Sequence, residues 1–469
     1  MNTYIKTVIT VLTIGILGGC KVSKDIPVPN AALPENFRNA QTSDSLSIAD
    51  QAIKDFFTEP ELKALVDTAL IRNYDLQVAV KNIESAEQLL MQAKLGNVPQ
   101  LNLQLTGSSN RPSDNSLNGL STSQFLKTTH VEDFNANLGL TWEADIWGKI
   151  RSQKQAALAT YLQTGEAKKA IQTRLVSGVA QGYYRLLMMD AQMAIAQKNL
   201  GLSDSTLKIV NLQFDAGQVT SLAIQQAKAQ QLVAAQLIPK LQQDITIQEN
   251  ALSVLTGRLP GTVERLASLD KAKVPARNSA GYPSAMVSRR PDVKSAELSL
   301  AIANAKVGVA KASMYPSLSI TASGGANSFR ASNWFNIPAS LFGVVSGGIT
   351  QPIFQKRQLK TQYELAKIDR EKTVIQFRQS VLNAVTEVSD ELVKIEKLKL
   401  QYDISKDRVN ILQQAVKNAN LLFKSGMATY LEVITAQSNS LQSELELTAI
   451  KTAQLNATVE LYRTLGGGL

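Results

Sequence analysis

The sequence predicts a mainly α-helical fold with a small amount of membrane β-structure, built as a twofold internal repeat. Three observations predict it. Phe214 and Gly217 reappear as Phe423 and Gly426, both pairs 209 positions apart. Long stretches on either side of each glycine keep helical periodicity and are poor in proline. Four short segments alternate in hydropathy instead, with a period of two.

Composition narrows the function classes. The chain has 469 residues, 44% hydrophobic and 19% charged, enough for a large core or several domains. Its net charge is +10, but the lysines and arginines are spread among acids and glutamines along helical faces. That pattern reads as a solvated surface, with no nucleic-acid partner expected. One cysteine and one histidine exclude a disulfide framework, zinc-finger spacing and a Cys/His metal site within this chain. No P-loop or nucleophile elbow occurs, and His130 sits in a Ser/Thr/Asn-rich stretch read as a loop. Met188, Met189 and Met193 cluster on a helix and read as core rather than a copper site. Neither enzymatic chemistry nor a cofactor or metal is expected.

The N-terminus reads as a leader. Lys6, the apolar run VITVLTIGIL and the small pair Gly18-Gly19 precede Cys20, the parts of a secretory signal peptide. Leu17-Gly18-Gly19-Cys20 resembles a bacterial lipobox, whose cysteine becomes the lipidated first residue. KVSKDIPVPNAALPENF then reads as an extended tether, and no later apolar run is long enough for a transmembrane helix. The expected organisation is a signal peptide over 1–19, a lipidated tether over 20–50, and repeats over 51–260 and 261–469.

Each repeat follows one plan. Arg72-Asn73-Tyr74-Asp75 reappears as Arg289-Arg290-Pro291-Asp292, and Asn97-Val98-Pro99 as Met314-Tyr315-Pro316, both at a spacing of 217. Ile146-Trp147-Gly148-Lys149 pairs with Ile353-Phe354-Gln355-Lys356 at 207, so copy one has the longer insert between these landmarks. Leu255-Thr256-Gly257 pairs with Leu465-Gly466-Gly467 at 210. A first helix, from LKALVDTALIRNYD onward, stops near Pro99, and its counterpart stops near Pro316. Asp75 and Asp292 are expected to cap or to pair with nearby arginines.

The alternating segments come next, at 100–107 and 134–142 in copy one and 317–325 and 341–350 in copy two. Their Ser/Asn/Gly-rich connections argue β-hairpins, and about ten residues suit a strand crossing a bilayer. Trp142, Trp147 and Trp334 all fall in or beside them, as expected for rings at a membrane–water boundary.

The long helices complete each copy. Val176, Val179, Tyr183 and Leu187, and again Val381, Val385, Val388 and Leu392, mark their buried stripes. About 60 residues of helix would extend roughly 90 Å. Such a helix must end somewhere, and glycine tolerates the left-handed turn at a helix end. Gly217 and Gly426 are therefore expected at two helix–turn–helix tips. Four bilayer-length strands cannot close a barrel alone, so several chains must share one.

This ordered set of lipobox, repeat, hairpins and F-x-x-G-x-x-x-x-L tips resembles the TolC-type outer membrane factors, in particular the lipoprotein branch serving resistance-nodulation-division efflux systems. The resemblance spans about residues 50–467. It implies a homotrimer, with long α-helical hairpins forming a trimeric α-barrel joined to a shared 12-stranded transmembrane β-barrel. It also implies partners: outer membrane lipid, a periplasmic adaptor protein and an inner-membrane efflux transporter. The implied place is the cell outer membrane, lipid-anchored at Cys20 and extending into the periplasm. Gly217, Gln218, Gly426 and Met427 match the turns that relatives present to adaptors. Glu432 matches one of the acids that ring the periplasmic gate, while Thr435 and Ala223 stand where further acids would be.

Two functional classes fit. One is the exit duct of a tripartite efflux pump, passively conducting small molecules; a protein-secretion duct would share its fold. The other is a lipid-anchored coiled-coil tether or scaffold without a pore. Four alternating segments and their tryptophans favour the duct.

Overall fold

The computed structural model describes residues 33–38, 47–265, 268–273 and 279–468. The signal peptide, Cys20 and most of the tether lie outside them. Among the described residues, no helix is long and apolar enough to cross a membrane. The chain forms two compact units, and each draws on both sequence repeats: 85–162 with 298–375, and 30–84 with 163–297 and 376–469.

Ten α-helices and four strands follow in order among the described residues. They are α1 (Ile53–Phe56), α2 (Pro60–Arg72), α3 (Tyr74–Lys94), β1 (Gln100–Asn110), α4 (Leu117–Ser121), β2 (Val131–Ala144), α5 (Lys149–Asp215) and α6 (Ser221–Leu255). Copy two supplies α7 (Pro283–Arg289), α8 (Pro291–Ala312), β3 (Ser317–Ser328), β4 (Leu341–Thr350), α9 (Gln358–Lys424) and α10 (Tyr430–Thr464). Helices α5 and α9 both have 67 residues, and α6 and α10 both have 35. Pro239 lies inside α6 without ending it.

The expected first helix of each copy is in fact two helices. Asn73 (ψ 129°) and Arg290 (ψ 122°) adopt extended backbone and separate α2 from α3 and α7 from α8. Asn73 Oδ1 accepts from Leu76 N at 3.0 Å, restarting the helix as an N-cap. Arg290 precedes a proline, which disfavours helical backbone at that residue. Asp292 pairs with Arg290, as expected.

The helix starts correct the spacing of 207. Lys149 begins α5 and Gln358 begins α9, 209 apart, so copy two carries two extra residues between its Ile-Phe pair and its helix. The spacing of 210 is corrected too. Gly257 (φ +62°) pairs structurally with Gly466 (φ +83°), not Gly467, because both are the left-handed residue closing a helix. A Cβ on Gly257 would lie 2.4 Å from Arg72 O, and one on Gly466 would lie 3.0 Å from Arg289 Cβ.

The larger unit holds the main core. Val176, Val179, Tyr183 and Leu187 are 3%, 0%, 0% and 1% exposed, so the predicted stripe is buried throughout. It meets Val381 and Val388 of α9 and Leu455 and Leu461 of α10. Phe56 stacks on Tyr462 with ring centroids 4.0 Å apart. Phe37 and Ile48, from the segment preceding the first repeat, are buried in the same core. Met189 is buried there and Met188 packs beside it, as the core reading expects.

The smaller unit holds one four-stranded antiparallel sheet in the order β1-β2-β3-β4. All four alternating segments are strands. β1 pairs only with β2 and β4 only with β3, so the sheet has two unpaired edges.

Candidate functional site

Two regions carry the expected function: the sheet in one unit and the helical tips in the other. In the sheet, register places Leu101 opposite Leu140, Leu103 opposite Leu138, and Leu105 opposite Ala136. The same face continues through Trp142–Ile320, Ala322–Val345 and Leu318–Ile349. Apart from Ser109, Glu132 and Ser328 at the loop end, this face is apolar. The opposite face carries Asn102, Gln104, Asn137, Thr141, Ser319 and Thr321, interrupted by Val131, Phe342 and Val344. Leu103 is 70% exposed and Val345 is 80% exposed, so among the described residues this apolar face covers no core. Ten to fourteen residues per strand, with one face mainly apolar and the other mainly polar, suit the wall of a membrane barrel.

The tryptophans mark both ends of the sheet. Trp142 Nε1 donates to Asn97 O (2.9 Å) and Trp147 Nε1 to Pro316 O (2.6 Å), both just before a strand begins. Trp334 Nε1 donates to Ala326 O (3.1 Å) at the loop end, with its ring 5.5 Å from Phe134. Each indole hands its polar edge to backbone, as an interfacial aromatic does. His130 lies exposed in the loop before β2, where its Nδ1 meets Thr129 Oγ1 at 3.0 Å.

The tips are two copies of one turn. Gly217 N donates to Phe214 O and Gln218 N to Gln213 O, both at 2.8 Å. Gly426 N donates to Phe423 O (3.1 Å) and Met427 N to Leu422 O (2.9 Å). These are paired Schellman closures, and the φ values of +75° and +73° favour glycine. No heavy atom lies within 4 Å of a Cβ at either position, so backbone conformation alone selects the residue.

The tips differ in their surroundings. Phe423 is 3% exposed and packs with Val210, Ala223, Ala227 and Val433, whereas Phe214 is 40% exposed. Gly217, Gln218, Gly426 and Met427 are all exposed. Leu212 with Leu421, and Leu222 with Leu431, are exposed at matched positions, giving each tip an apolar pair that none of the described residues covers. Tyr430 Oη donates to Gln226 Oε1 at 2.7 Å and ties the two tips together. The matched exposure of these leucines is a site signal that residue-by-residue sequence reading missed.

Glu432 is exposed at the third position of α10, and its carboxylate has a local partner. Its Oε2 accepts from Thr429 N and from Thr429 Oγ1 (2.9 Å), bracing the start of the helix. Thr435 is exposed too, but Ala223, the repeat counterpart of Glu432, is 1% exposed. The two copies therefore do not present equivalent acidic positions.

Comparison with known proteins agrees with this geometry. The family model described as outer membrane efflux protein matches residues 65–258 and 282–467. The two starts are 217 apart and the two ends 209, the structural spacings found above. The chain is 30% identical over 467 residues to the probable efflux pump outer membrane protein TtgC of Pseudomonas putida, covering 97% of this chain and 94% of that one. It is 27% identical to the probable outer membrane lipoprotein SilC of Salmonella typhimurium, covering 98% of each. The crystal structure of CusC superposes with a TM-score of 0.83 at 26% identity, covering 96% of this chain and 100% of that one.

Proposed function

The chain belongs to the outer membrane efflux protein family, and on that footing we propose that three copies form the exit duct of a tripartite efflux pump. It is an outer-membrane efflux component. The observation that carries the duct reading is the sheet: apolar on one face, polar on the other, with both edges unpaired. An unpaired edge in hydrocarbon leaves backbone groups without partners, at several kcal/mol each. Pairing β1 of one copy with β4 of the next removes both edges. Three copies give twelve strands, with the apolar face toward lipid and the polar face lining a water-filled passage. A pore-free tether would have no use for a two-faced sheet.

The remaining assignments rest on this arrangement. The tips at Gly217, Gln218, Gly426 and Met427, with their paired leucines, are the surfaces for a periplasmic adaptor, which links the duct to an inner-membrane transporter. Conduction through the duct is passive, with expulsion driven by the transporter. Glu432 places one carboxylate per chain at the periplasmic gate, where three like charges attract cations. Cys20 carries the lipid that adds a second hold on the membrane. Mass analysis and bilayer recording on detergent-purified protein test the reading together. A particle of three chains that conducts supports it; a monomer without conductance, including after tip mutations, favours the tether.

A further inference from the structure

A cavity of about 1030 Å³ lies at the loop end of the sheet, the end of the strands away from α3 and α5. It borders the apolar face. Ser109 and Glu132, which line it, stand opposite each other on the same face as Leu105 and Ala136. Lys127, His130 and Arg330 line it too, beside Phe125 and Phe329.

The cavity combines cations with apolar surface. Phe125 and Phe329 are 83% and 53% exposed, and the Arg330 guanidinium sits 5.3 Å from the Phe329 ring centroid. Lys127 and Arg330 are both exposed. In the same loop as Lys127, Arg111 pairs with Asp114 (3.8 Å), whereas among the described residues Lys127 and Arg330 pair with no carboxylate. Glu132 is the one acid among the described lining residues, so two fixed cations face one anion. Lys127 is held at φ +53°, directly after the helical turn Thr122–Leu126. Left-handed backbone is costly for a residue with a side chain and persists where the surroundings fix it, as at ligand clamps. Two residues along the face from Glu132, Phe134 meets Trp334 (5.5 Å), which stacks on Phe335 (5.0 Å). Such rings mark the depth at which lipid headgroups meet acyl chains.

We infer that this cavity binds the phosphate of an outer-leaflet lipid. Lys127 and Arg330 take the phosphate through charge-assisted hydrogen bonds. Phe125 and Phe329 take the first part of the acyl chains, which run on along Leu105 and Leu138 of the apolar face. A free anion would have no use for exposed phenyl rings or for a site bordering that face. This lipid contact rests on the reading that the apolar face meets the bilayer and that the helices leave it on the periplasmic side. The cavity itself is formed within one chain, whatever the number of chains in the assembly.

The test uses the full chain in a neutral detergent and native mass spectrometry, with dioleoylphosphatidic acid against dioleoylglycerol. The two lipids share their acyl chains and differ only by the phosphate. One phosphatidic acid per chain should be retained, at least about tenfold more tightly than the diacylglycerol, the effect of two charge-assisted contacts. Lys127→Gln combined with Arg330→Gln should abolish that preference, with helical circular dichroism unchanged. Glu132→Gln removes the opposing charge and should widen the preference severalfold, a change of sign that a merely structural role would not produce. Millimolar inorganic phosphate should leave the lipid in place. Equal retention of the two lipids would overturn the inference, as would a preference unchanged in the double variant or reduced by Glu132→Gln. Displacement by inorganic phosphate would make this a site for a free ion and overturn the lipid assignment. Chain count and bilayer conductance on the same preparation report on the duct, so a lost preference in conducting trimers would sink this inference alone.

Discussion

Asn73 and Arg290, 217 positions apart, do the same work with different chemistry. Asn73 Nδ2 donates to Leu255 O at 3.0 Å, and Arg290 Nη1 donates to Thr464 O at 3.0 Å. Each acceptor is the last residue of a returning helix, α6 or α10. Helix ends leave carbonyls without partners, and here each copy answers with a buried side chain from its own first-helix break. Arg290 additionally holds Asp292 (2.6 Å) and Glu387 (2.8 Å), a load Asn73 does not carry.

Arg290→Ala should therefore destabilise more than Asn73→Ala. Removing the arginine leaves Asp292 without its cation, Glu387 with only Arg463 at 3.7 Å, and one buried carbonyl without its donor, about 2–3 kcal/mol in all. Removing Asn73 forfeits a cap and one hydrogen bond, about 1–2 kcal/mol. Thermal midpoints of the purified variants give the order. Equal midpoints would mean that the arginine's ion pairs contribute nothing.

The same cluster sets an acid dependence. Burial would raise the Asp292 carboxyl, but the hydrogen bond and charge of Arg290 outweigh it and hold the group below its ordinary range. A depressed carboxylate contributes stability that is present above its unfolded pKa of about 3.9 and lost as pH falls through the folded value. Asp292→Asn should lower the midpoint at neutral pH and flatten its fall on acidification below about pH 4. A variant whose acid profile parallels the parent would remove Asp292 from this account.

Glycine replacement should separate two causes. Gly217→Ala and Gly426→Ala meet only the backbone penalty of a positive φ, about 1–2 kcal/mol each. Gly257→Ala meets that penalty and a Cβ placed 2.4 Å from Arg72 O, so it should be the worst of the three. Urea midpoints rank them, and a harmless Gly257→Ala would contradict the helix-end geometry.

Glu432→Gln keeps a side chain able to reach back to Thr429 while removing its charge. Cation preference in bilayer recordings should fall, with assembly unchanged. Glu432→Ala should also loosen the start of α10. Identical ion selectivity of Glu432→Gln and the parent, in intact assemblies, would confine Glu432 to capping.

Much of this was legible in the sequence, because periodicity is a property of the residues themselves. The segment 341–350 matches β4 residue for residue, and the stripe from Val176 to Leu187 is core. The failures came where letters and backbone disagree. Leu465 resembles Leu255 in name, but the structural partner of Leu255 is Thr464, because the left-handed turn fixes Gly257 on Gly466. The break at Asn73 hid inside a helical pattern, since an N-cap interrupts a helix without interrupting its apolar spacing. Glu432 was legible as an acid near a tip, whereas its bond to Thr429 needed the turn's geometry.

The central claim is that chains close the sheet by joining β1 to β4, three at a time. It is tested most directly by cysteine cross-linking in a Cys20→Ser chain, which otherwise has no cysteine. One cysteine replaces Leu101, Leu103 or Leu105 in β1 and a second replaces Leu341, Val345 or Ile349 in β4. Within one chain those strands stand three spacings apart, about 14 Å, twice the roughly 7 Å that a disulfide can span. The account predicts that at least one pairing, oxidised in membranes, yields covalent dimers and trimers and nothing larger. Monomers alone across every pairing, or a ladder running past three chains, would contradict it.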